Sequence, residues 1–235
     1  MSSNDSGFPL EIPNELYGLI LDFVCDENFL QEHPWLDHHP DNEPFTEVSS
    51  SPLRDLPALV ISAVCTRWRS IALSSPAFWS KLRLELLFTD ASTMSKGLAS
   101  TLELYLQRSN HCPLYIDLNI TGKLRNDSAV IPLASLTRCA QFWKSFRYRG
   151  DFRSLIHLQN FSQLHFPILE NLDVRATGMV AGDLFTCFQN APSLCAITAT
   201  AKPGFFEAAE LPLRHRLTSL DLIISSRCTR ADLYE

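Results

Sequence analysis

Apolar residues recur at helical spacing near the start of the chain. One stripe follows Pro13 and occupies positions i, i+3, i+4, i+7 and i+8, filled by Leu16, Leu19, Ile20, Phe23 and Val24. A second stripe of helical spacing comprises Val60, Val64, Trp68, Ile71 and Ala72. Each stripe predicts one amphipathic helix, and Asn14 is placed to cap the first of them.

After the second stripe the pattern predicts a short third helix and then a change to strand spacing. Ser75 is a typical N-cap residue and Pro76 a typical first helical residue, so this helix would hold Trp79. Further along, the alternation of apolar and polar residues and a return of helical spacing predict a strand at 82–86, a helix at 92–109 and a strand at 114–120.

The second half of the chain repeats one short motif four times. The motif apolar-x-x-apolar-x-apolar starts at Trp143, Leu169, Leu194 and Leu217, at intervals of 26, 25 and 23 residues. Intervals of this length are typical of leucine-rich repeats, whose units each contribute a strand. The Asn or Cys of a regular repeat is missing after each motif. We therefore interpret residues 86–235 as an irregular leucine-rich-repeat-like α/β solenoid.

An acidic stretch separates the first two predicted helices. The range 26–57 has neither the helical nor the strand period, so we interpret it as a long insertion. His33, His38 and His39 lie there among acidic residues, but nothing in the sequence fixes a ligand geometry. Neither a metal nor a cofactor is expected.

Charge is divided unevenly along the chain. Residues 1–57 hold twelve acidic side chains and one basic one, whereas the remaining 178 residues hold fourteen acidic and nineteen basic. The basic excess is spread thinly, without a Lys/Arg run or interleaved aromatic residues. No nucleic-acid partner is therefore expected.

Cysteine usage and hydropathy point to the cytoplasm or nucleus. The seven cysteines form no CxxC pair, which favours reduced thiols in a reducing compartment. No basic, apolar leader precedes the first helix, and no apolar run reaches membrane-spanning length, so no membrane partner is expected. The G-x-S-x-G, P-loop and H-E-x-x-H motifs are all missing from the sequence, so the chain is not expected to be an enzyme.

Three segments of the N-terminal part, taken in order, resemble the F-box family. They are Ile12-Pro13-Asn14-Glu15-Leu16, Val64-Cys65-Thr66-Arg67-Trp68-Arg69 and Ser75-Pro76-Ala77-Phe78-Trp79-Ser80. The resemblance covers residues 8–85. This part of the chain resembles the F-box proteins that some fungi carry in large numbers. With the repeats behind it, it implies an α+β fold: a small three-helix F-box with the insertion at 26–57, followed by the solenoid at 86–235.

The resemblance also implies a function. Such proteins are substrate-recognition subunits of SCF-type cullin-RING ubiquitin ligases, which dock on the adaptor subunit of the ligase and capture a target protein. The residues implied for adaptor binding are Ile12, Pro13, Leu16 and Ile20. Those implied for the F-box core are Val64, Trp68, Ile71 and Trp79. The alternative is a protein-interaction scaffold that no longer engages a ligase.

The repeat strands suggest where an unknown protein substrate would bind. Side chains between the motif's apolar residues face outward from a strand. This rule selects Arg147, Arg149, Asp173 and Arg175 as the candidate substrate-binding residues. Three arginines on adjacent strands predict a locally positive strip, suited to an acidic or phosphorylated segment.

Overall fold

The protein folds around one parallel β-sheet. A computed structural model describes residues 12–31, 56–88, 96–122, 130–156, 161–178, 184, 186–201 and 217–224. Within these residues seven strands pair in the order in which they occur, and every pairing is parallel. The strands are β1 (Asn28–Gln31), β2 (Lys81–Phe88), β3 (Leu114–Gly122), β4 (Trp143–Asp151), β5 (Asn171–Thr177), β6 (Ala196–Ala201) and β7 (Ser219–Ile224).

Helices precede the sheet and connect its strands. They are α1 (Asn14–Val24), α2 (Pro57–Val64), α3 (Thr66–Ser74), α4 (Lys96–Arg108), α5 (Val130–Thr137) and α6 (Phe152–Ile156). Short 3₁₀ segments lie at Pro76–Trp79, Ala140–Phe142 and Phe161–Gln163. Parallel strands need such crossover connections, because a tight hairpin can join only antiparallel neighbours.

The predicted fold class is wrong. The chain has an α/β fold built on one seven-stranded, all-parallel sheet, and it does not show a three-helix F-box followed by a solenoid. The first strand, β1, comes from within the range predicted as an insertion. Residue 85, where the F-box-like domain was predicted to end, lies inside β2. The sequence pattern missed β1 because its four residues, NFLQ, place two apolar residues side by side and give no alternation.

The core lies against one face of the sheet. The strand register aligns one residue from each of the first six strands in a single buried row: Leu30, Leu84, Leu118, Tyr148, Val174 and Ala199. These residues alternate with more exposed ones along each strand, as the period of two requires. The buried row links the N-terminal elements and the repeat region through the same hydrophobic core.

An aromatic cluster fills the core beneath β4 and β5. Trp143 stacks on Phe146 with 4.6 Å between ring centroids, and it lies 5.5 Å from Phe166. The ring centroid of Phe188 lies 5.3 Å from that of Phe166 and 5.5 Å from that of Phe161. Offset and edge contacts of this kind stabilise a core beyond the area they bury.

The second apolar stripe forms two helices where the sequence predicted one. Cys65 has extended backbone angles, with φ −156° and ψ 170°, so it ends α2 and caps α3. Its sulfur accepts a hydrogen bond from the backbone N–H of Trp68 at 3.5 Å. The break changes the direction of the chain, and the residues before and after it therefore no longer share one face.

The other predicted elements agree with the structure, but Asn14 does not cap the first helix: it is the first residue of α1, and Pro13 occupies the N-cap position. The helix predicted at 92–109 contains α4, and the strand predicted at 114–120 lies within β3. Each of the four repeated motifs forms one strand, from β4 to β7. The histidines 33, 38 and 39 lie outside the described residues.

Candidate functional site

The apolar stripe of α1 faces outward. Leu19 is 69% exposed and Phe23 is 85% exposed, and the other members of the stripe, Leu16, Ile20 and Val24, are about half exposed. Only Leu21 of this helix is buried. We call the five exposed residues, Leu16, Leu19, Ile20, Phe23 and Val24, the apolar helical face. Apolar side chains that cluster on a surface in this way are typical of protein-interaction sites.

The helix is nevertheless held firmly to the rest of the fold. The guanidinium of Arg67 on α3 donates to the side chain of Asn14 at 2.9 Å and to the carbonyl of Ile12 at 2.6 Å. Arg67 also lies over the ring of Tyr17, with 4.7 Å between its Cζ and the ring centroid. The ring of Tyr17 in turn packs against that of Trp68, with 6.1 Å between the ring centroids. The apolar helical face is therefore presented by a helix fixed in place.

The four residues implied for adaptor binding all lie on the surface. Ile12, Pro13, Leu16 and Ile20 are exposed, the last two one helical turn apart on α1. Sequence reasoning did not include Leu19 and Phe23, which are the most exposed apolar residues of this helix. The same stripe contains them, so its periodicity was the signal that could have found them.

The four residues implied for the F-box core are divided between surface and interior. Val64 is 56% exposed, because the helix break at Cys65 turns it away from the core. Trp68 is half-buried. Ile71 and Trp79 are buried, and the indole N–H of Trp79 donates to the carbonyl of Ala72 at 2.8 Å.

The two tryptophans do not contact the same neighbours. Trp68 contacts Tyr17 on α1. Trp79 meets Tyr105 on α4 edge-on, with 5.0 Å between ring centroids. Trp79 therefore joins the 3₁₀ segment to α3 and α4, and Trp68 joins α3 to α1.

A second exposed feature lies on the outward face of the sheet. The strand register places Asp117, Arg147 and Asp173 side by side on β3, β4 and β5. Arg149 and Arg175 are paired two residues further along the last two of these strands. We call these five residues the charged sheet strip. The structure thus brings together all four residues that the sequence selected for substrate binding.

Two aspartates hold the three arginines of the strip in place. Asp117 Oδ2 lies 3.3 Å from Arg147 Nη1 and 3.7 Å from Arg149 Nη1. Asp173 Oδ2 lies 3.1 Å from Arg147 Nε, and its Oδ1 lies 3.0 Å from Arg175 Nε. The hydrogen bond from Arg175 to Asp173, together with the charge of Asp173, raises the pKa of the Arg175 guanidinium.

The strip is less positive than the sequence predicted. Its three guanidinium groups share two carboxylates, so their charge is largely compensated within the strip. The aspartate side chains are only 16–17% exposed, whereas those of the arginines are 36–48% exposed. A partner approaching the sheet therefore meets the arginine heads first. Sequence reasoning missed Asp117, although it alternates with Ile116 and Leu118.

A shallow depression of about 530 Å³ adjoins the strip at the β2 side of the sheet. Its lining includes Lys81, Arg83, Tyr115, Asp117 and Arg147. Lys81 Nζ lies 2.9 Å from Asp26 Oδ1, which ties the segment after α1 to β2. The depression extends the charged surface toward the N-terminal elements.

The described residues include a buried thiol and no cluster of metal-ligating side chains. Burial, with a contribution from the charge of Asp22, raises the pKa of the Cys25 thiol to about 12, so this thiol is protonated at neutral pH. Across the described ranges no three His, Cys, Asp or Glu side chains come together to hold a metal ion. None of the helices in the described part of the chain is both long enough and apolar enough to cross a membrane.

No protein-family model matches the chain, and a search of curated proteins finds no match. The resemblance to F-box proteins therefore depends on its three sequence segments alone. What it implies about partners and activity stays a prediction.

Proposed function

We propose that this protein is a non-catalytic receptor that binds two proteins at once, one through the apolar helical face and one through the charged sheet strip. By the resemblance of three sequence segments to F-box proteins, the first partner would be the adaptor subunit of a cullin-RING ubiquitin ligase. The second partner is then the target protein, held near enzymes that other subunits supply. Such a receptor acts by raising local concentration and needs no nucleophile of its own.

The exposure of α1 is the observation that supports this proposal most strongly. Burying one Leu, Ile or Phe side chain stabilises a complex by about 1.5–3 kcal/mol. A helix that leaves Leu19 and Phe23 mostly in water while Arg67 bonds to its N-terminal end is preorganised for such burial. Helices of this kind dock by residues at i, i+3, i+4 and i+7, which is the spacing of the apolar helical face.

The charged sheet strip suits a polar target segment. Arg147, Arg149 and Arg175 are anchored by carboxylates beneath them, so their heads lose less freedom when they bind an anionic group. Guanidinium groups bind carboxylates and phosphates through paired hydrogen bonds. The target would therefore present acidic or phosphorylated residues to the sheet.

We place the protein in the cytoplasm or nucleus. Cys65 is a free thiol on the surface, and unpaired exposed thiols are typical of reducing compartments. Cullin-RING adaptors would be accessible to the protein there.

A pull-down from native cell extract with mass spectrometry tests the proposal. The wild-type chain should recover the ligase adaptor, and Leu19→Lys with Phe23→Lys should lose it, because each lysine places a charge where an apolar side chain must be buried. Ile223→Lys on β7 is the control, since it introduces a lysine at another exposed apolar position. Recovery of the adaptor with the double variant at the wild-type level would contradict the proposal.

The same experiment distinguishes a ligase receptor from the alternative, a scaffold that engages no ligase. A scaffold without a ligase would lose other proteins when α1 is changed, and no adaptor would be found with the wild-type chain. The apolar helical face would then remain a binding surface for a different partner.

A further inference from the structure

A pocket of about 320 Å³ opens between α2, α3 and the last turn of α4. Its walls include Leu59, Val60 and Leu73, and its polar lining includes Ser62, Arg69 and Arg108. We call it the arginine pocket. It belongs to neither the apolar helical face nor the charged sheet strip. Its volume lies at the lower end of the range of small-molecule sites, roughly 300–1,000 Å³.

The pocket contains two positive charges and lacks a matching negative one. No Asp or Glu is among its described lining residues. Arg69 Nε donates to the backbone carbonyl of Ser62 at 2.8 Å, which fixes the arginine without neutralising it. By contrast, Arg147 is paired with two aspartates and Arg83 with Glu27.

Arg108 is the more unusual of the two arginines. Its Nη1 atom is buried, and it has no hydrogen-bond partner among the described residues. A buried guanidinium nitrogen without a partner costs free energy, because the water it loses is not replaced. A negatively charged ligand at the exposed side of this partly buried arginine would offset part of that cost through its charge.

The guanidinium of Arg108 is also held in a fixed position. Its Cζ lies 4.4 Å from the ring centroid of Trp79, a cation–π contact. Trp79 is itself fully buried and is anchored by the hydrogen bond of its indole N–H to Ala72. The site is therefore formed before any ligand arrives, which lowers the entropy cost of binding.

We infer that the arginine pocket binds a soluble amphiphilic carboxylate, with its head between the two arginines and its aliphatic chain against the apolar wall. A carboxylate fits because a guanidinium presents paired donors in the geometry of its two oxygens. A short aliphatic chain fits because Val60 and Leu73 are partly exposed and gain by being covered. This inference does not depend on the proposed function.

Octanoate is the probe that tests the inference, titrated into the full-length protein by isothermal calorimetry. Acetate has the same head without the chain, and octanol has the same chain without the charge. Octanoate should bind saturably and at least tenfold more tightly than either, since charged hydrogen bonds and buried methylenes each contribute about a factor of ten or more. This comparison uses only the wild-type protein and does not depend on whether a variant folds.

Variants then locate the site. Arg108→Gln and Arg69→Gln should each weaken octanoate binding about tenfold. Arg138→Gln, at an exposed arginine outside the pocket, should leave it unchanged. Equal binding of octanoate, acetate and octanol would overturn the inference. It would also be overturned if folded Arg108→Gln kept the wild-type affinity, or if the protein bound anionic lipid vesicles but not octanoate.

Discussion

The hydroxyl of Tyr105 donates a hydrogen bond to the side-chain oxygen of Asn28, with 3.2 Å between the two oxygens. Both residues are fully buried. The same oxygen of Asn28 accepts from the backbone N–H of Ala58 at 3.2 Å, and its amide donates to the carbonyls of Phe78 and Lys81 at 2.9 and 3.1 Å. One side chain thus joins β1 to α2, α4, β2 and the 3₁₀ segment before β2.

Replacing Asn28 should therefore destabilise the whole fold. Asn28→Ala leaves several buried polar groups without partners, and each such group costs about 1–3 kcal/mol. We expect the free energy of unfolding to fall by about 3 kcal/mol or more, measured by urea denaturation. Asn119→Ala is the control, because Asn119 makes one part-buried hydrogen bond, to Glu85, and should cost about 1 kcal/mol. Equal losses for the two variants would contradict this role of Asn28.

Asn28 also shows why part of the fold could not be predicted from the sequence. Long periodic segments such as α1, α4 and β3 were predicted, because the spacing of their apolar side chains alone distinguishes a helix from a strand. The strand β1 depends on a parallel partner more than fifty residues away and on a polar hub in the core. Neither feature produces a periodic pattern in four residues. The sequence analysis therefore placed a domain boundary after residue 85, within a sheet that is continuous in the structure.

Burial of Cys25 predicts a loss of stability at alkaline pH. The pKa of this thiol rises from its ordinary value of 9.0 to about 12 in the folded protein, chiefly because of its burial. Above pH 9 the unfolded chain therefore releases this proton while the folded chain keeps it, which favours unfolding. The thiol should remove up to about 1 kcal/mol of stability per pH unit above pH 9.

Comparison with Cys25→Ala isolates this effect. Between pH 6 and 8 the unfolding free energies of the two proteins should run parallel, because the thiol is protonated in both states. Between pH 9 and 10 the wild-type curve should fall more steeply than that of the variant. Parallel curves throughout would show that the thiol is not protected from ionisation.

Gly150 is required by the close approach of β4 to β3. Its φ is +150°, and a Cβ there would lie 2.7 Å from the backbone oxygen of Ile120. Gly150→Ala should therefore lower the free energy of unfolding by about 1–3 kcal/mol. Gly18 on α1 has no atom within 4 Å of such a Cβ, so Gly18→Ala should keep or raise stability by up to about 1 kcal/mol. The melting temperature should fall for Gly150→Ala and should stay the same or rise for Gly18→Ala.

The charged sheet strip is tested by removing its positive charges. Reversal to Glu would place a third carboxylate beside Asp117 and Asp173, so neutral Gln is the better substitution at Arg147, Arg149 and Arg175. The arginines of these ion pairs are exposed, but the aspartates are only 16–17% exposed, so the fold of the triple variant is first checked by circular dichroism. In a proteomic pull-down it should recover the adaptor but lose most other partners. Arg138→Gln with Arg153→Gln is the control, and a partner list unchanged by the triple variant would exclude the strip as the target site.

The candidate sites were partly predictable, for a physical reason. Alternation along β4 and β5 is enough to place Arg147 and Asp173 on the outward face. It cannot show that Asp117 on β3 neutralises the arginines, because the register between strands is set by the whole sheet. For α1, periodicity located the apolar stripe but could not show whether the stripe is buried in the core or exposed on the surface. A core and a docking partner require the same spacing of apolar residues.

The central claim is that α1 docks on a ligase adaptor, and a direct titration of purified components tests it. The full-length protein should bind the purified adaptor saturably in isothermal calorimetry. Leu19→Lys with Phe23→Lys should weaken binding by about a hundredfold or more, since each buried apolar side chain contributes about tenfold or more. Ile223→Lys should bind like the wild type. A wild-type protein that does not bind the adaptor, or a folded double variant that binds it equally well, would contradict the account.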